Sequence, residues 1–232
     1  MPNEFKLALA SLIEKNKIYT VLHSDFSHIL LLHEQDDVFS FVHLAGHKKL
    51  LNETCDDPHV KIKEQSYLCL ETFLNMKNDH GSSVEAFSVF VDTVFQKNYD
   101  KGLPYSFAFS GSFNNQGEWI APEPKDGKGF TCATFILMLF ASFGYKIINY
   151  DSWAKREEDC DWEKNVVAYF DRNNIDPVHT QAMKDLIGSL RYRPDEVSVA
   201  SAIYNPPTPS NYDYIQQNIH LLKQIISIEP TD

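Results

Sequence analysis

Residues 132–143, Cys-Ala-Thr-Phe-Ile-Leu-Met-Leu-Phe-Ala-Ser-Phe, carry no charge and place apolar side chains on every face of a helix. A helix apolar all round belongs inside a core, so the rest of the chain must supply layers around it. Thr131 is the expected N-cap and Gly144 the expected C-terminal stop. Cys132 then opens the helix at the positive end of its dipole, a position that favours the thiolate, the nucleophilic form of the side chain. Gly127 and Gly129 let the incoming backbone turn tightly and leave room near the sulfur. The bland alternative makes Cys132 a small buried hydrophobe, the ordinary role of a free cysteine.

The remaining composition fits a core of that kind. The chain has 232 residues, is 43% hydrophobic and 23% charged, and carries a net charge of -11. This is the profile of a soluble globular protein. The acidic balance argues against nucleic acid or an anionic membrane surface as the main partner. The longest uncharged run, residues 129–145, is shorter than a membrane span requires, so no stable membrane insertion is expected. Cys55, Cys69, Cys132 and Cys160 are widely spaced with no CxxC pair, which gives no support to zinc-ribbon or redox motifs. Free thiols in a reducing compartment, and an N-terminus without the basic and apolar regions of a signal peptide, lead to a cytoplasmic expectation.

Hydrophobic periodicity predicts an amphipathic helix over residues 3–16 and a strand over 18–22. Residues 28–33 and 38–44 are β-type runs around Glu34-Gln35-Asp36-Asp37, a hairpin with a four-residue turn. Closing it at residues 33 and 38 sets His28 directly opposite His43, with Leu30, Leu32, Phe39 and Phe41 on the same face and His33 on the other. Further strands are expected within 48–51 and 59–63, and helices over 64–77 and 82–97. The stretch 110–129, rich in Gly, Ser, Asn and Pro, is expected to be a long binding loop offering Trp119 to a substrate. A strand over 145–150 and four helices, within 160–172, 176–190, 194–204 and 210–227, complete the chain.

A cysteine nucleophile needs a base within hydrogen-bonding reach and a group to hold that base. Of nine histidines, only His179 and His220 follow Cys132, and both fall on expected helices. His28 and His43 sit on paired strands and face one way among apolar neighbours. Each alone reads as a satisfied sheet histidine. Together they suit a base and its orienting partner.

These residues resemble a known pattern. His28-Ile-Leu-Leu-Leu, an acidic turn and Val42-His43-Leu44-Ala45 are similar to the histidine hairpin of the lecithin:retinol acyltransferase family. That family belongs to the permuted branch of papain-like and bacterial cell-wall-endopeptidase-like cysteine hydrolases. Thr131-Cys132-Ala133-Thr134-Phe135-Ile136, running on to Gly144-Tyr145, resembles its cysteine helix. Gly102-Leu103-Pro104-Tyr105-Ser106-Phe107 resembles the segment that precedes the cysteine in permuted members. The resemblance covers roughly residues 18–150. The acyltransferases carry Asn before the cysteine and a Glu-His pair after it, where this chain has Thr131, Ala133 and Thr134. The bacterial-type hydrolases are therefore the nearer relatives by pattern.

The resemblance implies an α+β fold with a papain-like core, an antiparallel sheet packed on a buried central helix that carries the cysteine. Residues 1–150 are expected to form this catalytic core, and residues 151–232, which have no counterpart in the family, a helical extension either packed on the core or forming a separate lobe. It implies a cysteine hydrolase of the amidase or peptidase type, working through Cys132, His28 and His43 and an acyl-enzyme intermediate. Tyr105, Trp119 and Thr131 line the substrate, a peptide, amide or acyl group, and neither cofactor nor metal is required. Acyl transfer, or thioester or lipid hydrolysis, would use the same fold. Two other readings stay open: a non-catalytic interaction module with a buried cysteine, and a metal site of His28, His43 and Cys132. His23, Asp25 and His47 are alternative candidates for polar roles in the site.

Overall fold

A computed structural model of the chain describes residues 7–8, 13–76 and 81–228. Most of the helix expected over 3–16 lies outside the described residues, and within it Leu7–Ala8 is a short strand, β1. The chain continues through β2 (Tyr19–His23), β3 (Ile29–Gln35), β4 (Val38–Gly46), β5 (Lys49–Cys55), α1 (Pro58–Glu64) and β6 (Tyr67–Glu71). These strands form one antiparallel sheet in the order β1-β6-β2-β3-β4-β5.

The β3–β4 hairpin corrects the expected register. Gln35 pairs with Val38, so the loop is the two residues Asp36 and Asp37, at φ 52° and 65°. Two successive left-handed residues make the turn whose twist suits a tight hairpin, and Asp tolerates that conformation better than most side chains. Relative to the expected closure, β4 slides by two residues along β3. A shift of two preserves the face of every side chain, so His28 and His43 stay on one face but lie diagonally, not directly opposite.

Alternation along the strands splits the apolar residues into two layers. Ile29, Leu31, Val42, Leu44 and Leu50 join the larger cluster on one face. Tyr19, Leu30, Leu32, Phe39 and Phe41 pack on the other with Ile62 of α1. Two expectations in this region fail for local reasons. Residues 59–63 are helical because the Asp57 side chain accepts the His59 N–H and Pro58 fills the first turn. Residues 67–71 are a strand because Tyr-Leu-Cys-Leu-Glu fills the gap between β1 and β2, with a 3-10 turn following at Phe73–Met76.

After α2 (Gly81–Asn98) come four two-residue strands, β7 (Ala108–Phe109), β8 (Ser112–Phe113), β9 (Trp119–Ile120) and β10 (Lys128–Gly129). They tie down the stretch expected to be a long binding loop. The buried Asn98 side chain donates to Gly117 O, and Phe113 N–H donates to Ser142 Oγ. β10 runs parallel to β7 and delivers the chain to α3 (Cys132–Ser142). Gly129 makes this possible: at φ 151°, a Cβ there would stand 2.1 Å from Pro104 O.

Thr131 caps α3 through a reciprocal capping box with Thr134, and residues 132–140 of the helix are all buried. Phe140 stacks on Phe87 of α2 at 5.0 Å. Burying an aromatic side chain of this size contributes ~2–3 kcal/mol. The expected strand over 145–150 is irregular, with one bridge from Ile148 to Ser210 and a 3-10 turn at Tyr150–Ser152.

The C-terminal third forms α4 (Glu157–Arg172), α5 (Pro177–Lys184), α6 (Pro194–Ile203) and α7 (Tyr212–Ile228). Val197, Val199, Ala200, Ile215 and Ile219 lie in the same cluster as Ile136 and Phe140 of α3. Thr20 of β2 bonds Ser198 of α6, Oγ1 to Oγ, at 2.8 Å. α6 and α7 therefore complete the core around α3, while Val167 and Phe170 of α4 and Met183 of α5 form a separate cluster with Phe107. Arg156 fastens them by hydrogen bonds to Glu196, Asp159 and Arg191 O. No described helix is long and apolar enough to cross a membrane.

Candidate functional site

His28 is the last residue before β3. An Asx turn, with Asp25 Oδ1 accepting the Ser27 N–H at 2.8 Å, leads into it, and the His23 N–H donates to its carbonyl. Its Nε2 lies 2.7 Å from His43 Nδ1, and the two rings meet edge-on with centroids 4.9 Å apart. His43 Nε2 in turn lies 3.1 Å from Glu53 Oε1 on β5, and Lys61 of α1 binds the other oxygen of that carboxylate. Glu53 pairs with Phe41 across the β4–β5 ladder, so the network sits on the α1 face of the sheet.

The hydrogen bonds assign the protons. The hydrogen bond from Lys61, then burial working against it and the bond from His43, leave the Glu53 carboxyl below its usual range. An ionised carboxylate only accepts, so His43 carries its proton on Nε2 and presents Nδ1 as an acceptor. His28 must then donate from Nε2, which leaves its Nδ1 as a lone pair. Burial foremost, with His43 and His23 adding, pushes the His28 pKa down to about 4. Burial also lowers His43, against the opposing pull of Glu53. At neutral pH the pair is two uncharged rings with defined tautomers.

Cys132 belongs to the cluster on the other face. Burial pushes its thiol pKa up; the backbone N–H groups of Ile29 and Ala133 and the charge of Arg191 pull it back only in part. The helix start alone led to the opposite expectation, a lowered thiol, because the sequence does not show how deeply the sulfur is enclosed. Ile29 is the residue after His28. The registered β3–β4 ladder ends at Leu31 with Val42, and beyond that pair the Ile29 N–H is among the groups that pull the thiol back. The thiol and the imidazoles thus lie toward opposite faces of the sheet, near the end of the β3–β4 ladder, and among the described residues no hydrogen bond joins the sulfur to either ring.

The expected substrate contacts separate. Tyr105 is close enough to Cys132 for a thiolate there to act on its phenol, after burial as the main influence. It also lines a cleft of about 540 Å³ with Ala45, Gly46 and Lys49. Trp119 lies elsewhere: its ring packs on Phe130 at 5.5 Å and lines a different cleft with Lys97 and Lys101. Thr131 is buried and spends its hydroxyl on the helix cap. His23 pairs with Asp25 at 2.7 Å, and His47 packs on His179. Among the described residues no three His, Cys, Asp or Glu side chains are placed to hold a metal ion.

Two contributors were missed from sequence. Glu53 could have been found by carrying the alternation of β4 into β5, which puts it on the face of Phe41 and His43. Arg191, whose guanidinium lies 3.6 Å over the Trp162 ring, reaches the thiol from the C-terminal third, and no local signal announces it. Comparison with protein-family models, with characterised proteins and with solved structures finds no match for this chain.

Proposed function

We propose that the protein is a thiol-dependent hydrolase of the amidase or peptidase type, with Cys132 as nucleophile and His28 as its base. The observation that carries this reading is the proton wiring from Glu53 through His43 to His28, which leaves one imidazole lone pair, Nδ1, unspent on the residue before Ile29, whose N–H helps hold the Cys132 thiol down. An antiparallel sheet against a helix that begins with the cysteine also accords with the permuted papain-like arrangement expected from the sequence pattern.

In this mechanism the raised thiol and the lowered imidazole make a neutral resting pair, so the proton moves during attack. Sγ bonds to the substrate carbonyl carbon while His28 Nδ1 takes the thiol proton. His28 returns that proton to the leaving nitrogen as the C–N bond breaks, giving a thioester on Cys132. Water, deprotonated by the same nitrogen, releases the acid and restores the thiol. His43 and Glu53 are positioning residues that fix the tautomer. The N–H groups at the start of α3 face the oxyanion. An acceptor other than water would turn the same thioester into acyl transfer.

The test is acylation by p-nitrophenyl acetate, read by intact mass and peptide mapping. One acetyl group on Cys132, absent in Cys132→Ala, is expected. A second reading, a sealed structural thiol, draws on the small exposure of Cys132, 6%. Acetylation spread over surface residues and unchanged in the variant would favour it.

A further inference from the structure

The cleft beside Tyr105 lies next to the end of the strand that carries His43. Its edge includes Ala45 and Gly46, two and three residues past His43, where a bulge between Leu44 and Gly46 turns the end of β4 outward. Lys49, also on its edge, is close enough for its charge to act on His43. Tyr105 faces the cleft, and a thiolate at Cys132 would act on its phenol, after burial as the main influence. Trp162, Tyr169 and Phe170 of α4 form the opposite wall.

At about 540 Å³ the cleft is the size of a small-molecule site, and its walls are aromatic. Its floor is His47, whose side chain is 6% exposed and packs on His179 at 4.7 Å. Neither His47 nitrogen makes a well-formed hydrogen bond, and Asp176 Oδ2 stands 3.4 Å from Nε2. A ring left unpaired in this way costs stability, and proteins retain such costs where function requires them. Lys48 is held by Asp176 at 2.8 Å, whereas Lys49 is exposed and makes no ion pair among the described residues. In a chain of net charge -11, an unspent cation at the rim of an aromatic cleft selects an anion.

We propose that this cleft holds the acyl portion of the substrate, an aromatic or bulky aliphatic group that carries a carboxylate, with the apolar body between Tyr105, Trp162 and Phe170 and the negative charge at Lys49. This assignment to the substrate rests on the hydrolase reading above; binding itself does not need the thiol.

The experiment therefore uses Cys132→Ala protein labelled with 5-fluorotryptophan, titrated with 3-phenylpropanoate and with its neutral amide. Saturable movement of the Trp162 fluorine resonance is expected, with those of Trp119 and Trp153 fixed. Lys49→Ala should weaken the carboxylate about 5-fold and the amide by less than about 2-fold. Val166→Trp, which fills the cleft from α4, should abolish both titrations. Movement of all three resonances alike, or equal affinity for acid and amide that Lys49→Ala leaves unchanged, overturns the proposal. Binding in the variant without acylation of wild-type Cys132 sinks the hydrolase reading but not the site. Acylation at Cys132 without binding of either probe sinks the site but not the hydrolase.

Discussion

His33 gives the sharpest test of how this core handles charge. It is fully buried on the face of the sheet that meets α2, and its Nε2 is 3.4 Å from Asp92 Oδ1. Neither ring nitrogen makes a hydrogen bond. Burial pushes the imidazole down to about 4. Burial, with the charge of Asp36, pushes the Asp92 carboxyl up to about 6. Each group moves toward its neutral form, so desolvation outweighs the attraction an ion pair would gain.

The consequence for stability has a definite sign. An unfolded His33 titrates near 6.5 and the folded one near 4. Between those values the unfolded chain binds a proton that the folded protein refuses. Stability is therefore lost as pH falls through that window and levels off below it. From pH 7 to pH 4.5 the loss from this one side chain is about 2 kcal/mol. His33→Leu removes it. At pH 7 the substitution should change stability by less than about 1 kcal/mol, because an unpaired ring is exchanged for an apolar side chain. At pH 4.5 the variant should be favoured over wild type by about 2 kcal/mol more than at pH 7. The raised Asp92 has the opposite dependence, adding stability as pH falls through about 6. It is common to both proteins and cancels in the difference. Urea unfolding at the two pH values measures this directly. An equal difference at both, or a variant that loses ground in acid, would mean that His33 is charged in the fold and paired with Asp92.

Gly129→Ala should destabilise the protein by about 2–3 kcal/mol, since its Cβ would collide with Pro104 O at a φ that side chains avoid; a loss under about 0.5 kcal/mol by urea unfolding would show that the β7–β10 approach can relax. Glu53→Ala should slow acetylation of Cys132 about 10-fold by releasing the His43 tautomer, with Glu53→Gln, which keeps an acceptor, restoring most of the rate. Because Glu53 is well exposed, both variants should melt within about 2 °C of wild type. A rate loss matched by a fall in melting temperature would make Glu53 a structural residue only.

The elements that could be read from sequence are those where local and tertiary preferences agree. The uncharged run from Cys132 and the stripe of Phe87, Val91 and Phe95 became α3 and α2, and Thr131 became the cap it was expected to be. The histidine hairpin was legible in its faces but not in its register. Asp36-Asp37 lacks the glycine that usually marks a two-residue turn, although both residues adopt left-handed angles. Residues 59–63 offered a signal that was passed over, Asp57-Pro58, a cap followed by the proline that favours a first helical turn. Residues 67–71 offered none, since a short apolar run takes its conformation from its neighbours. In the site, the meeting of His28 and His43 followed from alternation. The depth of Cys132 did not, because its cluster is completed by α6 and α7, far downstream in the chain. The setting of Trp119, in a cleft apart from that of Tyr105, was not legible for a similar reason: its loop is anchored by Asn98 and Ser142, partners distant in the chain.

The central claim is that the Cys132 thiol gives its proton to His28 Nδ1 at the end of the β3–β4 ladder. The most direct measurement is the rate of Cys132 acetylation by p-nitrophenyl acetate between pH 5 and 8 in wild type and in His28→Asn. The account requires a fall of at least about 100-fold in the variant, with part of the rate restored by imidazole in solution. Acetylation of Cys132 at an undiminished rate in His28→Asn, over the whole pH range, would separate the thiol from the imidazole and contradict it.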